Sequence, residues 1–282
     1  MYDKIVNIGD SKIQIGEAND RIYLMKLSHG EYPDIVGKLD EMGKENNVGK
    51  IFAKVGEWAQ KQFIENGYDE EAYIPNFYMG NIQAMFFGKY LKPERKEIPT
   101  DEEHEIENIL KICTTKKSTL PIPLPEEYVV RPIEAKDAAE LAKVYKQVFE
   151  TYPFPIHEED YLIEAMDSDV AFYGVYSNDV LLAAASAEMD RESKNAEMTD
   201  FATLPEARGK KLASYLLQKM EDDIAKNYNI ITAYTIARSL SAGMNITFAK
   251  AGYTYTGTLR NNTNISGKIE SMNVWYKNLI VE

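Results

Sequence analysis

Apolar and polar residues alternate through "KIVNIGDSKIQIG" (4–16) on either side of Gly9-Asp10, a pattern that predicts a β-hairpin. "RIYLMKL" (21–27) reads as a third strand. In "EYPDIVGKLDEMGKENN" (31–47) the period lengthens to that of a helix, with Ile35, Leu39 and Met42 on one face. A strand "KIFAKV", a helix "EWAQKQFIENG" closed by Gly67, and the strands "EAYIPNFYMG" and "AMFFGKYL" follow. Residues 1–92 thus read β-β-β-α-β-α-β-β. From 93 to 126 the chain turns highly charged, with a helical stretch over Asp101–Ile112, and then proline-rich at Pro121-Ile122-Pro123-Leu124-Pro125. Proline fixes φ and stiffens a connector, so a linker is placed there. Residues 127–282 restart as β-α-α-β-β-β-α-β-α-β-β, with Asn178-Asp179 as a hairpin turn and Gly252 closing the last helix. "FIENGYDEEAYI" (63–74) echoes "FAKAGYTYTGTL" (248–259), each a helix end followed by a strand. The first domain therefore reads as a partial repeat of the later half of the second.

Composition narrows the function classes. The net charge is −13, divided as −6 over residues 1–126 and −7 over 127–282. Such a chain lacks the basic footprint of a nucleic-acid binder. The acidity serves either solubility or the attraction of a cationic substrate. A single cysteine, Cys113, rules out an internal disulfide framework, and three scattered histidines leave no metal cluster. No apolar run reaches the roughly 20 residues needed to span a bilayer, and the N-terminus lacks signal-peptide features. A cytoplasmic location without membrane or nucleic-acid partners is expected.

The richest stretch is "FATLPEARGKKLASYLLQKMEDDI" (201–224). A strand ends at Leu204-Pro205, and a cationic loop, Arg208-Gly209-Lys210-Lys211, opens directly into a helix. Leu212, Leu216, Met220 and Ile224 of that helix are spaced to face a sheet. A helix N-terminus presents free N–H groups and partial positive charge, so this loop suits an anion such as a pyrophosphate.

With the element order, "FATLPEARGKKLA" resembles the GNAT superfamily of acyl-CoA-dependent N-acetyltransferases, whose loop reads Arg/Gln-x-x-Gly-x-Gly/Ala. Arg208 and Ala213 match its first and last positions; Lys211 stands where the family usually has glycine. The resemblance covers about residues 127–282. It implies an α/β (α+β) fold of GNAT type: a mixed, largely antiparallel central sheet with flanking helices, here preceded by the smaller α/β domain. It further implies acetyl-CoA as co-substrate and no metal. Strands 195–204 and 230–237 should splay, so that the backbone of Phe201, Ala202 and Thr203 pairs with the pantetheine arm. Residues Arg208, Gly209, Lys210, Lys211, Leu212 and Ala213 should hold the pyrophosphate, with Asn245 and Phe248 as further cofactor contacts.

An amine of pKa near 10.4 is an ammonium at pH 7, and stripping its proton costs on the order of 4–5 kcal/mol. A carboxylate near the amine is the usual remedy. Glu197 stands where similar acetyltransferases carry a glutamate base. Asp200 is assigned to substrate contact, on the opposite face of a regular strand unless a bulge intervenes. Phe248 occupies the position of the family's proton-donating tyrosine, leaving Tyr253, Tyr255 or water as donors to the thiolate. Tyr152, Phe154 and Tyr161 are candidates for an apolar wall around the acceptor.

Over its whole length the chain resembles the β-lysine N-acetyltransferase family, on "YPFPI", "AEMTDFATLPEARGK", "SAGMNITFAKAGYTYTGTL", "NNTNI" and "ESMNVWYKNL". That resemblance implies transfer to the ε-amine of β-lysine, giving a compatible solute. Glu188 or Asp200 would meet an ammonium group, and Arg238 or Arg191 the carboxylate. A polyamine or protein-lysine acetyltransferase, and an idle acyl-CoA sensor, are the competing readings. Tyrosine-rich closing strands make a homodimer a candidate assembly.

Overall fold

A computed structural model describes residues 2–119 and 121–279. Leu120 of the expected linker and residues 280–282 of the expected second domain lie outside the described residues. The first six strands are β1 (Lys4–Ile8), β2 (Ser11–Gly16), β3 (Arg21–Lys26), β4 (Lys50–Gly56), β5 (Asp69–Tyr78) and β6 (Ile82–Tyr90). They form one sheet in the order β1-β2-β3-β4-β6-β5. Helices α1 (Ile35–Glu45) and α2 (Gln60–Glu65) lie between its strands in sequence. Ile35, Val36 and Leu39 of α1 are buried against Ile22, Ile51 and Phe87, as the helical period predicts, with Met42 partly covered at the edge.

The second sheet has seven strands: β7 (Val129–Pro132), β8 (Val170–Ser177), β9 (Val180–Asp190), β10 (Asn195–Thr203), β11 (Thr232–Arg238), β12 (Thr254–Ile265) and β13 (Lys268–Asn278), in the order β12-β13-β11-β10-β9-β8-β7. Its helices are α4 (Ala138–Val148), α5 (Glu159–Met166), α6 (Leu212–Tyr228) and α7 (Ala242–Lys250), with α3 (Thr100–Thr114) preceding the sheet. Asn178 and Asp179 both have positive φ, 49° and 63°, as a two-residue hairpin turn between β8 and β9 requires. Each sheet is antiparallel except for one parallel pair, β3 with β4 and β10 with β11.

The two halves share a topology. The run β2-β3-β4-β6-β5 in the first sheet corresponds to β9-β10-β11-β13-β12 in the second, with the parallel pair in the same place. The echoed "FIENGY" and "FAKAGY" fall at equivalent helix–strand junctions.

The halves are packed together through a common core. Phe52, Ile74, Phe77 and Phe86 from the first sheet close on Tyr234, Leu259, Met272 and Val274 from the second. Backbones meet where β12 crosses β5: a Cβ on Gly257 would fall on the Glu71 carbonyl oxygen and 2.8 Å from the Ala72 Cα. Lys50 is fully buried at this seam, ion-paired to Glu71 at 2.7 Å and donating to the Arg260 carbonyl at 2.7 Å. Nor is the connector a free tether. Ile109 and Cys113 of α3 belong to the second core, and the Ile122 N–H donates to the Gln218 side chain of α6 at 2.8 Å.

Candidate active site

Strands β10 and β11 pair for only three residues, Asn195–Glu197 against Thr232–Tyr234. Beyond Glu197 they part. β11 keeps its register with β13 as far as Arg238, while β10 stays with β9. The register of β10 slips between Thr199 and Ala202, and Asp200 adopts a left-handed φ of 55°. This bulge matters to the chemistry. Regular alternation would set Glu197 and Asp200 on opposite faces; the extra residue lets both line one cavity.

That cavity, about 1700 Å³, runs from the parted strands to the face of the first sheet. It exceeds the roughly 300–1,000 Å³ typical of a single small-ligand pocket. One end is the cationic loop. Arg208, Gly209, Lys210 and Lys211 are exposed, and nothing lies within 4 Å of where a Gly209 side chain would stand. Gly209 has φ 80° and Lys211 φ 61°. Lys211 therefore occupies the left-handed conformation that glycine adopts freely, so the loop keeps a glycine-like shape where the sequence departs from glycine. The first backbone bonds of α6 run from Ser214 and Tyr215 to the Lys211 carbonyl, which leaves the Leu212 and Ala213 N–H groups for an anion. Leu212 is buried, and behind it Leu216, Met220 and Ile224 anchor the helix in the core.

Three carboxylates meet at the other end. Glu188 is exposed to the interior of the cavity, and the surrounding protein together with Asp200 and Glu197 pushes its pKa up to about 8. Desolvation also raises Glu197, opposed chiefly by the Lys54 ammonium and by the Tyr234 hydroxyl and Ile236 N–H beside it. Asp200 is raised by burial as well, against bonds from Ser186 Oγ at 2.5 Å and from the Tyr152 hydroxyl. Both Asp200 oxygens thus already have donors. Lys54, reaching in from β4, donates to the Tyr234 hydroxyl at 3.1 Å and lies over the Phe77 and Tyr234 rings.

The other sequence candidates divide. Phe201, Thr203, Arg208, Gly209, Lys211, Leu212, Ala213, Phe248, Tyr152, Phe154, Glu188 and Arg238 line the cavity. Ala202 is buried, and Lys210 is exposed outside the cavity lining. Asn245 stands apart and is fully buried. Its amide donates to the Arg238 and Ser241 carbonyls at 2.9 and 2.8 Å and accepts from Asn273 and Trp275, both at 2.9 Å. It locks α7 onto β11 and β13 and has no atom to offer a cofactor. Tyr161 packs behind the wall in the core rather than in the cavity lining. Arg191 is paired with Asp169 at 2.8 Å, also off the lining. Arg238 is held bidentately by buried Glu270, at 2.9 and 2.8 Å. Neither candidate proton donor opens on the cavity: Tyr253 is buried and Tyr255 is bonded to Thr258. Sequence reasoning missed Gln14, Arg21, Tyr23, Lys54 and Tyr234. Four of these come from the first sheet.

A cavity built on a split strand pair, with a cationic loop at a helix N-terminus at one end and carboxylates at the other, is the arrangement of an acyl-CoA-dependent N-acyltransferase. Residues 138–253 match the Acetyltransferase (GNAT) family. The chain is 41% identical to a beta-lysine N(6)-acetyltransferase of Methanococcus maripaludis over 98% of both chains. A second protein of that name, from Methanosarcina mazei, is 32% identical over 89% of this chain and 98% of its own. The N-acetyltransferase YodP of Bacillus subtilis is 33% identical over 88% and 87%. The chain belongs to the GNAT acetyltransferase family. Members use acetyl-CoA as co-substrate, and the residues here suit it: free N–H groups and cations at the loop, and unpaired strand edges beyond Glu197. Among the described residues no helix is long and apolar enough to cross a membrane.

Proposed function

We propose that this protein moves an acetyl group from acetyl-CoA to the N6 amine of β-lysine, 3,6-diaminohexanoate. The observation that carries the reading is one continuous cavity joining the phosphate-type loop to three acidic side chains, supported by full-length relatives of that name. A diammonium substrate fits a pocket whose acidic wall is otherwise hard to keep ionised: each ammonium that enters favours a carboxylate that burial disfavours. Acetyl-CoA supplies the thioester carbonyl. The loop 208–213 takes its diphosphate, and the open edge of β10 from Phe201 to Thr203 pairs with the arm. Glu197, whose pKa burial raises above that of an ordinary carboxylate, accepts the proton of the attacking amine. A backbone N–H at 201–203 bonds the carbonyl oxygen as it gains charge. The nitrogen–carbon bond forms, the carbon–sulfur bond breaks, and the thiolate departs with a solvent proton. Asp200, fixed by Ser186 and Tyr152, holds the bulge that brings Glu197 and the oxyanion edge together. Glu188 meets the second ammonium.

The test is an amine panel containing β-lysine, lysine, spermidine and a lysine peptide, with mass detection of the product. Acetylated β-lysine as the dominant product supports the reading. A polyamine or peptide turned over more efficiently replaces it, and binding of acetyl-CoA without turnover of any amine points to a sensor.

A further inference from the structure

Among the described residues, the almost fully buried cations come with carboxylates, with one exception. Lys50 has Glu71, and Arg95 has Asp20 at 2.9 Å. Arg21, 5% exposed on β3, has no carboxylate within ion-pairing distance among the described residues. Its guanidinium donates to the Asn262 carbonyl at 2.6 Å, to Thr263 Oγ1 at 3.3 Å and to Gln14 Oε1 at 3.1 Å. A guanidinium has five N–H donors, so two remain. Beside it, Gln14 is 1% exposed, and its Nε2 is a buried donor with no acceptor. Unpaired buried charge and unsatisfied buried donors are both costly, and a site that leaves two together is built for a visitor. Both residues line the cavity. The Arg21 guanidinium lies over the Tyr23 ring at 5.2 Å, and Tyr23 in turn feels Lys54 and Glu197. Burial brings the Arg21 pKa down to about 10, which leaves it fully charged at neutral pH.

We propose that Arg21 and Gln14 form the subsite for the acceptor's carboxylate, so that the first domain makes the enzyme select an amino acid over a plain diamine. The inference rests on the acetyl-transfer reading above. A planar guanidinium with an adjacent amide donor matches the two oxygens of a carboxylate. The carboxylate then anchors on the first sheet while the distal amine reaches Glu197 on the second. Arg238, bound to Glu270, need not serve.

The experiment compares kcat/KM for β-lysine with that for pentane-1,4-diamine, which is the same molecule without its carboxylate, in the wild type, R21Q and Q14L. The wild type should favour β-lysine by roughly 10- to 150-fold, the worth of hydrogen bonds to a charged group. R21Q should bring that ratio to within a few fold, and Q14L should lower it part of the way. Equal use of the two amines by the wild type, or an unchanged ratio in either folded variant, overturns the subsite. Should R21Q not fold, Q14L and the wild-type ratio decide. Failure to acetylate either amine would count against the acetyl-transfer reading instead, so the two failures are distinguishable.

Discussion

Exchanging Glu197 for glutamine keeps the side chain's size and its place beside Tyr234 and the Ile236 N–H, but removes the only property the mechanism uses, the capacity to take a proton. The magnitude follows from the site. Water would have to accept the proton of an amine whose deprotonation costs on the order of 4–5 kcal/mol at pH 7. A positioned base recovers about 10²–10⁴-fold of that in rate. E197Q should therefore lower kcat/KM for the amine about 10²–10⁴-fold while acetyl-CoA binding, made at the far end of the cavity, holds. Release of free CoA thiol, followed from pH 5 to 10, reads it. In the wild type the rate rises with pH as Glu197 loses its proton, with a midpoint above the ordinary carboxylate range because burial raises it. In E197Q that limb disappears and the rate follows only the small free-amine fraction at high pH. A variant within threefold of wild type, with the same rising limb, would refute the role of this carboxylate and the reasoning that placed it.

Glu188 supplies a stability prediction. Its proton is held in the folded state up to about pH 8 and in an unfolded chain only to about 4.5. Its contribution is full below the lower value and is lost as pH rises through the upper one, so Tm of E188Q should equal wild type at pH 4 and exceed it at pH 8.5, with β-lysine turnover reduced. A Tm difference independent of pH would contradict this. R208A should weaken CoA binding about five- to tenfold by calorimetry, a modest effect because the side chain is exposed and screened; unchanged affinity would move the diphosphate elsewhere. G257A should force β12 off β5 at a cost of about 1–3 kcal/mol, lowering Tm by about 2–4 °C per kcal/mol; an unaltered melt would mean that the seam yields freely.

The order of strands and helices was readable because period and punctuation agree almost everywhere: Gly9-Asp10 and Asn178-Asp179 turn hairpins, and Leu212, Leu216, Met220 and Ile224 face the core. The loop after β10 was legible from its charge and its helix. The common face of Glu197 and Asp200 was not, because it depends on a bulge that strand alternation conceals. Asn245 looked like a cofactor contact in sequence, yet its hydrogen bonds run inward to Arg238, Ser241, Asn273 and Trp275. The first domain's share of the cavity was hidden for another reason. Arg21 and Lys54 share the otherwise apolar strands "RIYLMKL" and "KIFAKV" with Lys26 and Lys50, a signal easily taken for a solvent face. Only the packing of the first sheet against the second makes both line the cavity between them.

The most direct test of the whole account is a crystallographic map of the protein with CoA. Density for the diphosphate at residues 208–213, with the pantetheine arm running between β10 and β11 toward Glu197, is the predicted result. Density placing the cofactor against the first sheet, or outside the parted strands, would contradict it.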